Sequence, residues 1–504
     1  MEDESECTKP HAIMISLPYQ GHINPFVNLA LKLASEGVSV TFVHLEFVHH
    51  KLSKARRQNP NEFDLFDQAR ESGLDIQYTT IGDGFPLEFD RDLHLMEYWE
   101  SFMRDFPAIV DEFIAEKIRS HPVRYFLVSD TIYWWSSIVA EKYKLVNVSL
   151  WTEPALVFSL MYHSRLLSEN GHFPCKDGIV EEIDYVPGVG KISTQDLMPY
   201  LKEAESQSII TKLLSVAFEN VKNADFLLHN TVQQLESETL LYLNKQLPNY
   251  AIGPINFSES PAITNNKSVV SKTSLWSESD CTKWLGSKPH GSVLYVSFGS
   301  LVQTSKQVIE EVANGLLLSE VNFIWVVRLG IAGFGDDCGD NNVLPLGFED
   351  EIKLKGRGLI IPWCDQIRVL SNPAIGGFLT HCGWNSTLES MWCGVPMICY
   401  PIDWDQVTNR KLVVDDWKIG VNLCDNYGNK SSLDRKKVGE KIKQFMSEAT
   451  WKSLKLEAVK IKQILEEAVE IDGSSEVNFG NFVKDLRAKI IETAASTVNG
   501  KLTN

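Results

Sequence analysis

The sequence predicts an α/β protein with two parallel sheets, each covered by helices on both faces. Short β-rich runs alternate with longer helical stretches along all 504 residues, a pattern typical of strands joined by crossover helices. The run AIMISL at 12–17 is apolar nearly throughout, as expected of a strand buried on both faces. Between two such series lies a polar stretch at 257–276 that is rich in Ser and Asn. It lacks periodicity and is predicted to be an exposed linker.

The strands follow one another on either side of this linker. In the first half they are expected at His11–Leu17, Ser39–Leu45, Phe126–Ser129, Val146–Trp151, Phe226–Asn230 and Tyr250–Gly253. In the second half they are expected at Val293–Phe298, Phe323–Val327, Leu359–Pro362, Gly377–Thr380, Met397–Tyr400 and Gly420–Leu423. The segment 330–342 is predicted to be a surface loop, because Cys338 stands where a dinucleotide fingerprint needs its third glycine.

The residues after Asp472 predict a final amphipathic helix. Ser474 or Ser475 can cap it. Its apolar stripe consists of Phe479, Phe482, Val483, Leu486 and Ile490. The expected domains are residues 1–256, a linker at 257–276, a second domain at 277–473 and the helix at 474–504, which we expect to pack back on the first domain.

Composition excludes several classes of function. The apolar fraction of 44% and the charged fraction of 23% are those of a globular protein. A net charge of -18 argues against nucleic acid and anionic lipid as partners. The acidic start MEDESECTKP and the lack of a long apolar run predict a cytoplasmic protein without membrane insertion. Nine cysteines at irregular spacing indicate reduced thiols. We also expect the protein to be a monomer.

The densest cluster of chemically useful residues lies between Trp363 and Gln406. Trp363 ends the expected strand GLIIPW, and open α/β sheets bind ligands at the carboxyl ends of their strands. An indole at that place can stack on a nucleobase. Alternatively it is a structural tryptophan, since the chain has thirteen.

A second strand in this box ends at His381 and leads into a helix that starts near Trp384. The first backbone N–H groups of a helix are unpaired and form an anion site, and Gly383 allows a close approach of backbone to ligand. Asn385 and Ser386 add side-chain donors, and His381 can donate to the same phosphate, so no metal is required. Taken singly, Asn or Ser at such a place could be a plain helix cap.

Carboxylates complete the pattern. Glu389 lies one turn after Asn385 on the same helix face; because it only accepts hydrogen bonds, it suits a ribose diol. Asp405 and Gln406 follow the strand VPMICYP and suit sugar hydroxyls as acceptor and donor. Alternatively, Asp403 and Asp405 form a metal-binding carboxylate pair.

The box from Trp363 to Gln406 resembles the signature of plant family 1 uridine-diphosphate-sugar-dependent glycosyltransferases, and the similarity covers nearly the whole chain. The resemblance implies the GT-B fold, with two facing Rossmann-like domains and a cleft between them. It assigns Trp363 to the uracil and Gln366 and Glu389 to the ribose of the UDP-sugar, with Cys364 as a further residue of this binding site. His381, Asn385, Ser386 and the Gly383 turn are assigned to the phosphates, and Trp384, Asp405 and Gln406 to the sugar. The terminal Gln406 resembles the glucose-preferring pattern, so UDP-glucose is the expected co-substrate, with no other cofactor and no metal.

The first strand leads into a loop that carries His22. An imidazole changes charge near neutral pH and can act as general base for a hydroxyl; a loop or capping histidine is the alternative. The resemblance makes His22 the base and places Asp130, at the end of YFLVSD, where it orients that base, although it could also cap a helix. The implied mechanism is direct displacement with inversion. The leaving diphosphate is then stabilised by the helix terminus, His381 and the turn with Gly299 and Ser300.

The acceptor is the partner that the sequence determines least. Phe85, Trp134, Trp135 and Trp151 could line a lipophilic pocket or belong to the core. The expected activity is that of a hexosyltransferase of plant secondary metabolism, which moves glucose to a hydroxyl or carboxyl of a small lipophilic metabolite and gives a β-glucoside. The alternatives are a catalytically silent UDP-sugar binder, a transferase that uses another UDP-sugar, and a sugar-nucleotide epimerase or hydrolase.

Overall fold

The computed structural model divides the chain into two compact units. It describes residues 9–91, 93–120, 123–175, 180–203, 208–257, 273–300, 305–327, 344–424 and 433–502, with side chains up to 495. The first unit comprises Met1–Thr194, Tyr200–Leu275 and Glu467–Asn504, and the second comprises Gln195–Pro199 and Trp276–Glu466. Most of the predicted linker at 257–276 and the whole predicted loop at 330–342 lie outside the described residues.

The first unit is built on a seven-stranded parallel sheet with the order β3-β2-β1-β4-β5-β8-β9. Its strands are β1 (Pro10–Ile15), β2 (Ser39–Leu45), β3 (Ile76–Ile81), β4 (Arg124–Asp130), β5 (Val146–Trp151), β8 (Phe226–His229) and β9 (Asn249–Ala251), and β6 (Glu182–Ile183) pairs with β7 (Ile192–Ser193) as a short antiparallel hairpin. Its helices are α1 (Gln20–Ser35), α2 (Glu46–Ala55), α3 (Asp67–Glu71), α4 (Leu95–Ser120), α5 (Ser136–Tyr143), α6 (Ala155–Tyr162), α7 (Ser164–Glu169), α8 (Ile209–Asn220) and α9 (Ser237–Leu243).

The second unit is built on a six-stranded parallel sheet with the order β12-β11-β10-β13-β14-β15. Its strands are β10 (Val293–Ser297), β11 (Asn322–Val326), β12 (Gly358–Ile361), β13 (Ile375–Thr380), β14 (Met397–Cys399) and β15 (Gly420–Asn422). The helices are α10 (Thr282–Leu285), α11 (Lys306–Ser319), α12 (Phe348–Lys355), α13 (Gln366–Leu370), α14 (Trp384–Trp392), α15 (Gln406–Lys411), α16 (Arg435–Phe445) and α17 (Glu448–Ala468). One π-helical turn, Leu412–Asp416, follows α15.

The last helix, α18 (Ser474–Leu502), packs on the sheet of the first unit. The ring of Phe482 lies 5.7 Å from the rings of both Phe226 and Tyr250. The side-chain amide of Asn478 donates to the carbonyl of Ala251 at 3.0 Å. The predicted apolar stripe is buried throughout, so the helix covers β8 and β9 with the face that the periodicity indicated.

Every predicted strand is present, with ends that differ by at most two residues. The sequence reasoning missed β3 and the short hairpin. Strand β3 is the last strand of its sheet and has a single neighbour. Its sequence IQYTTI carries polar residues that are partly exposed, which is acceptable at a sheet edge and hides the apolar signal.

Two boundaries differ from those expected from the sequence. The short segment Gln195–Pro199 groups with the second unit, and the hydroxyl of Thr408 on α15 donates to the carbonyl of Asp196 in this segment at 2.6 Å. The residues from Glu467 onward group with the first unit. Within the described residues, no helix combines the length and the apolar character needed to cross a bilayer.

Candidate functional site

An imidazole–carboxylate pair forms at the carboxyl edge of the first sheet. Strands β1 and β4 are parallel neighbours, with Ile15 paired to Ser129. The first turn of α1, which carries His22, therefore meets the last residue of β4, Asp130, at the same edge. Nδ1 of His22 lies 2.6 Å from Oδ2 of Asp130, and the carboxylate is 1% exposed. Burial and this contact hold the imidazole in one orientation.

Two further contacts support the pair. Oδ1 of Asp130 accepts a hydrogen bond from the backbone N–H of Ile132 at 3.1 Å. The helix that Asp130 could have capped begins only at Ser136, so Asp130 closes a turn instead. Oγ1 of Thr152 lies 3.1 Å from Nδ1 of His22. The sequence reasoning missed Thr152, although its place directly after β5, the neighbour of β4, could have indicated it.

In the second unit, Trp363 follows β12 and is half-buried. The centre of its indole lies 4.5 Å from that of Trp276, with an angle of 37° between the rings. The backbone N–H of Ser279 donates to the carbonyl of Trp363 at 2.9 Å. Trp276 thus supports one side of the Trp363 indole. It was missed in the sequence because it ends the segment predicted to be a linker.

A partly buried hydrogen-bond network is centred on Gln366. Its Oε1 accepts from the hydroxyl of Tyr295 at 3.0 Å, and its Nε2 donates to Glu389 at 2.6 Å and to Ser386 at 3.0 Å. The thiol of Cys364 lies 3.5 Å from the same Tyr295 hydroxyl. The fold therefore brings the two residues predicted at the ribose into direct contact. Tyr295, on β10, is a member that the sequence reasoning did not identify.

The carboxyl of Glu389 lies on the buried side of α14 and is 8% exposed as a residue. Burial raises its pKa to about 7, and the hydrogen bond from Gln366 opposes that rise. A buried carboxylate can be stabilised by donors such as the two hydroxyls of a diol. Its protonation is therefore sensitive to what binds beside it.

Two glycine turns enclose the ring of His381, which follows β13. Gly299, after β10, and Gly383, the N-cap of α14, both lie so close to the imidazole that neither position has room for a Cβ atom. Cys382, between His381 and Gly383, has a left-handed backbone with φ of 68°. The predicted phosphate residues Ser300, Asn385 and Ser386 adjoin these glycines in the chain. The backbone N–H groups at the start of α14 are thus grouped with an imidazole.

Asp405 and Gln406 mark the start of α15 and are both buried. Oε1 of Gln406 accepts from the backbone N–H groups of Ile402 and Asp403, each at 2.9 Å. The amide nitrogen of Gln406 is then the group that can donate to a ligand. Trp384, which was expected to close over the sugar, is only 3% exposed, so its indole is almost enclosed by protein.

The alternative metal pair, Asp403 and Asp405, has separate partners. Asp403 accepts from the backbone N–H of Trp404 at 2.8 Å, and Asp405 accepts from the side chain of Asn409 at 2.5 Å. In the part of the chain that the structure describes, no three His, Cys, Asp or Glu residues are grouped so that they could hold a metal ion.

The aromatic residues considered for the acceptor pocket differ in burial. Trp135 and Trp151 are each 2% exposed. The indole N–H of Trp151 donates to the carbonyl of Pro154 at 2.9 Å, so both side chains are packed in the core. Phe85 and Trp134 are half-buried and keep surface that a ligand could contact.

Comparisons with known proteins agree on one family. Residues 11–257 match the family model described as "Glycosyltransferase, N-terminal domain", and residues 275–453 match "UDP-glucoronosyl and UDP-glucosyl transferase". UDP-glycosyltransferase 86A1 of Arabidopsis thaliana is 48% identical, over 99% of this chain and 98% of the relative. The 7-deoxyloganetin glucosyltransferase of Catharanthus roseus is 34% identical, over 95% of this chain and 97% of the relative.

Solved structures agree on the fold. The crystal structure of Medicago truncatula UGT71G1 complexed with UDP-glucose matches with a TM-score of 0.75 at 23% identity, over 96% of this chain and 100% of that chain. Two Rossmann-like units with these sequence matches define a glycosyltransferase of the GT-B class. The chain belongs to plant family 1 of the UDP-glycosyltransferases.

Proposed function

We propose that this enzyme transfers glucose from UDP-glucose to a hydroxyl or carboxyl group of a small lipophilic plant metabolite, with inversion, to give a β-glucoside. The observation that carries the proposal is the 2.6 Å contact between His22 Nδ1 and Asp130 Oδ2. A carboxylate at Nδ1 favours the tautomer with its proton on that atom. Nε2 is then the nitrogen that accepts a proton from an acceptor hydroxyl.

In the proposed reaction, Nε2 of His22 takes the acceptor proton while the acceptor oxygen bonds to the anomeric carbon. The bond from that carbon to the β-phosphate oxygen breaks, and its electron pair leaves with UDP. Asp130 stabilises the imidazolium that forms, as the carboxylate does in other acid–base dyads. A carboxyl acceptor is already ionised at neutral pH and attacks without losing a proton.

The donor roles are proposed from the contacts in the second unit. The uracil stacks on the side of Trp363 away from Trp276, beside Cys364. Gln366 and Glu389 hold the ribose. The phosphates are held by Gly299, Ser300, His381, Gly383, Asn385 and Ser386, where the N-terminus of α14 supplies backbone N–H groups. This group of donors stabilises the negative charge that develops on the leaving diphosphate.

Glucose is the proposed sugar because of how Gln406 is held. Its Oε1 accepts two backbone N–H groups, so its amide nitrogen is the group that can donate to a sugar hydroxyl, and Asp405, the preceding residue, can accept from one. The start of α14 at Trp384 bounds the same subsite. Two proteins support the choice: the Catharanthus roseus relative is named a glucosyltransferase, and the Medicago truncatula structure contains UDP-glucose.

The remaining parts of the proposal concern the acceptor and the setting. Phe85 and Trp134 are the aromatic residues we propose at the acceptor. The seven cysteines in the described residues are all free thiols, which supports a reducing, cytoplasmic setting. We propose a monomer that needs no metal. Size-exclusion chromatography tests whether the protein is a monomer, and activity in the presence of a chelator tests whether it needs a metal.

The test is an incubation of the purified protein with UDP-glucose and a panel of phenolic, terpenoid and carboxylic acceptors, followed by mass spectrometry. We expect the mass of at least one acceptor to increase by one hexose. With the His22→Ala variant, the hydroxyl acceptors should show no such increase. The anomeric configuration of the product is read by NMR. Binding of UDP-glucose without product for any acceptor would instead favour the silent binder, and product only in a parallel incubation with UDP-galactose would favour the other donor.

A further inference from the structure

The side chain of Asn409 connects two loops of the second unit. Asn409 lies on α15 and is fully buried. Its amide nitrogen donates to Oδ2 of Asp405 at 2.5 Å and to the backbone carbonyl of Cys382 at 2.8 Å. Because a primary amide has two N–H groups, these two contacts use its whole donor capacity.

The two acceptors belong to different parts of the candidate site. Cys382 lies in the turn before α14, beside His381 and Gly383. Asp405 lies in the loop between β14 and α15. One buried side chain therefore ties the turn assigned to the phosphates to the loop assigned to the sugar.

The orientation of the Asn409 amide follows from its partners. Both partners are acceptors, a carboxylate and a carbonyl, so only the NH2 end of the amide can face them. The other end, Oδ1, is buried and has no hydrogen-bond partner among the described residues.

The turn itself has a strained backbone at the residue that Asn409 binds. Cys382 has φ of 68°, a left-handed conformation that is unfavourable for a non-glycine residue. The carbonyl of this same residue accepts the hydrogen bond from Asn409. Asn409 therefore supports a conformation that would otherwise relax and shift the start of α14.

We propose that Asn409 is a positioning residue for the donor sugar, which fixes the carboxylate of Asp405 relative to the phosphate-binding turn. The proposal rests on the proposed function, in which Asp405 accepts a sugar hydroxyl. Asn409 is fully enclosed by protein, so it acts through Asp405 and not by contact with the sugar. Recognition of one hydroxyl requires the acceptor within about 0.5 Å of its place, and the hydrogen bond from Asn409 helps to hold Oδ2 of Asp405 there.

The test is a double-mutant cycle of Asn409→Ala and Asp405→Ala, with kcat/KM for UDP-glucose and the Kd of UDP as readouts. We expect Asn409→Ala to lower kcat/KM by about 10- to 100-fold, the range seen when groups that orient a ligating side chain are removed. The Kd of UDP, which has no sugar, should change much less. In the Asp405→Ala background, Asn409→Ala should have little further effect, because its target is gone.

Two other variants keep the test decisive. Asn409→Asp retains the shape of the side chain but puts a second carboxylate beside Asp405. It should lower kcat/KM by at least the factor expected for Asn409→Ala, and it provides the test if Asn409→Ala does not fold. Thr408→Val is the matched control. It lies next in the same buried helix and loses a hydrogen bond to Asp196, so it should lower the melting temperature without changing the ratio of kcat/KM to UDP affinity.

The outcomes separate this inference from the proposed function. If Asp405→Ala alone leaves kcat/KM unchanged, Asp405 does not hold the sugar and both proposals fail at that residue. A second outcome is that Asp405→Ala lowers kcat/KM, and that Asn409→Ala lowers kcat/KM by the same factor in the Asp405→Ala background as in the wild type. In that case only the role of Asn409 is overturned. Near wild-type activity of Asn409→Asp overturns it as well.

Discussion

A Cβ atom on Gly299 would lie 2.4 Å from Nε2 of His381. Gly383 approaches the same nitrogen, with a Cβ distance of 2.5 Å. Gly299 also has φ of 77°, a conformation that side chains rarely adopt. The ring of His381 therefore lies against two backbone turns that only glycine permits, and these are the turns we assign to the phosphates of the donor.

Gly299→Ala should weaken UDP binding. The added methyl group must push the His381 ring away from the turn, and overpacking of this kind costs about 1–3 kcal/mol. We expect the Kd of UDP, measured by calorimetry, to rise by about 10-fold. The control is Gly480→Ala on α18, where a Cβ atom meets nothing within 4 Å; it should leave the Kd unchanged. If the two variants bind UDP with equal affinity, His381 does not belong to the phosphate site.

The buried carboxyl of Glu389 should make stability depend on pH. Its pKa of about 7 in the folded protein lies above its ordinary value of 4.5, so its share of the stability is complete below pH 4.5 and is lost as pH rises through 7. Glu389→Gln removes this loss. We expect the variant to exceed the wild type in free energy of unfolding at pH 8, by up to about 3 kcal/mol, with a smaller difference at pH 5.

Denaturation in urea at the two pH values measures the Glu389 effect, and the exposed Glu349→Gln on α12 serves as control. The same variant should bind UDP more weakly, since a neutral amide replaces the carboxylate proposed to hold the ribose. A stability difference that stays constant from pH 5 to pH 8 would contradict the burial effect.

Asp130→Asn should lower kcat and leave the affinity for UDP unchanged. An amide at this place can hold the wrong tautomer of His22 and does not stabilise the imidazolium, a change that costs about 10⁴-fold in a comparable dyad. Thr152→Val removes only the 3.1 Å contact to Nδ1 and should cost less than Asp130→Asn. Steady-state rates with a saturating hydroxyl acceptor measure both effects. Full activity of Asp130→Asn would exclude the dyad as the base.

Trp276→Leu should weaken nucleotide binding through Trp363. The two indoles are in contact, so loss of the Trp276 ring removes a support that keeps the Trp363 ring in place beside a base. Stacking of a base on an aromatic ring is worth about 1–3 kcal/mol, and we expect a loss of part of this, less than in Trp363→Ala. Trp284→Leu, on α10, is the control. In calorimetric titration with UDP, the Kd should rise most for Trp363→Ala, less for Trp276→Leu and not at all for Trp284→Leu. An unchanged Kd for Trp276→Leu would contradict its supporting role.

Gln406→His should lower the use of UDP-glucose relative to UDP-galactose. A neutral imidazole has one acceptor nitrogen and one N–H donor. It therefore cannot accept from the backbone N–H groups of both Ile402 and Asp403 and still offer the sugar the two N–H donors of the Gln406 amide. The ratio of kcat/KM for the two donors, measured with one acceptor, reports the change. An unaltered ratio would mean that Gln406 does not select the sugar.

Much of the fold could be predicted because the strands are buried on both faces. Such strands read as apolar runs, as in β1 and β13, and the alternation with helices gives their parallel arrangement. Strand β3 escaped because an edge strand has no need of a continuous apolar run. The helix start at Trp384 was also predictable, since a glycine turn after a strand precedes it.

Partners that join distant parts of the chain could not be predicted. Trp276 lies beside Trp363 and Thr152 beside His22, yet neither pair shares a motif or a spacing in the sequence. Asn409 illustrates the same limit, because an Asn on a short helix gives no sign that its amide reaches Cys382. Burial of the aromatic candidates was likewise decided by packing, which encloses Trp135 and Trp151.

The sequence alone therefore determined the class of fold, the order of its strands along the chain and the chemical types of the residues at the strand ends. Those follow from local apolar periodicity and from turn chemistry, which are properties of neighbouring residues. The tertiary structure decided which side chains meet, how Gln366 and Glu389 share a hydrogen bond, and why the Glu389 carboxyl resists ionisation. These depend on contacts and burial between distant segments, which arise only when the sheets and helices pack together.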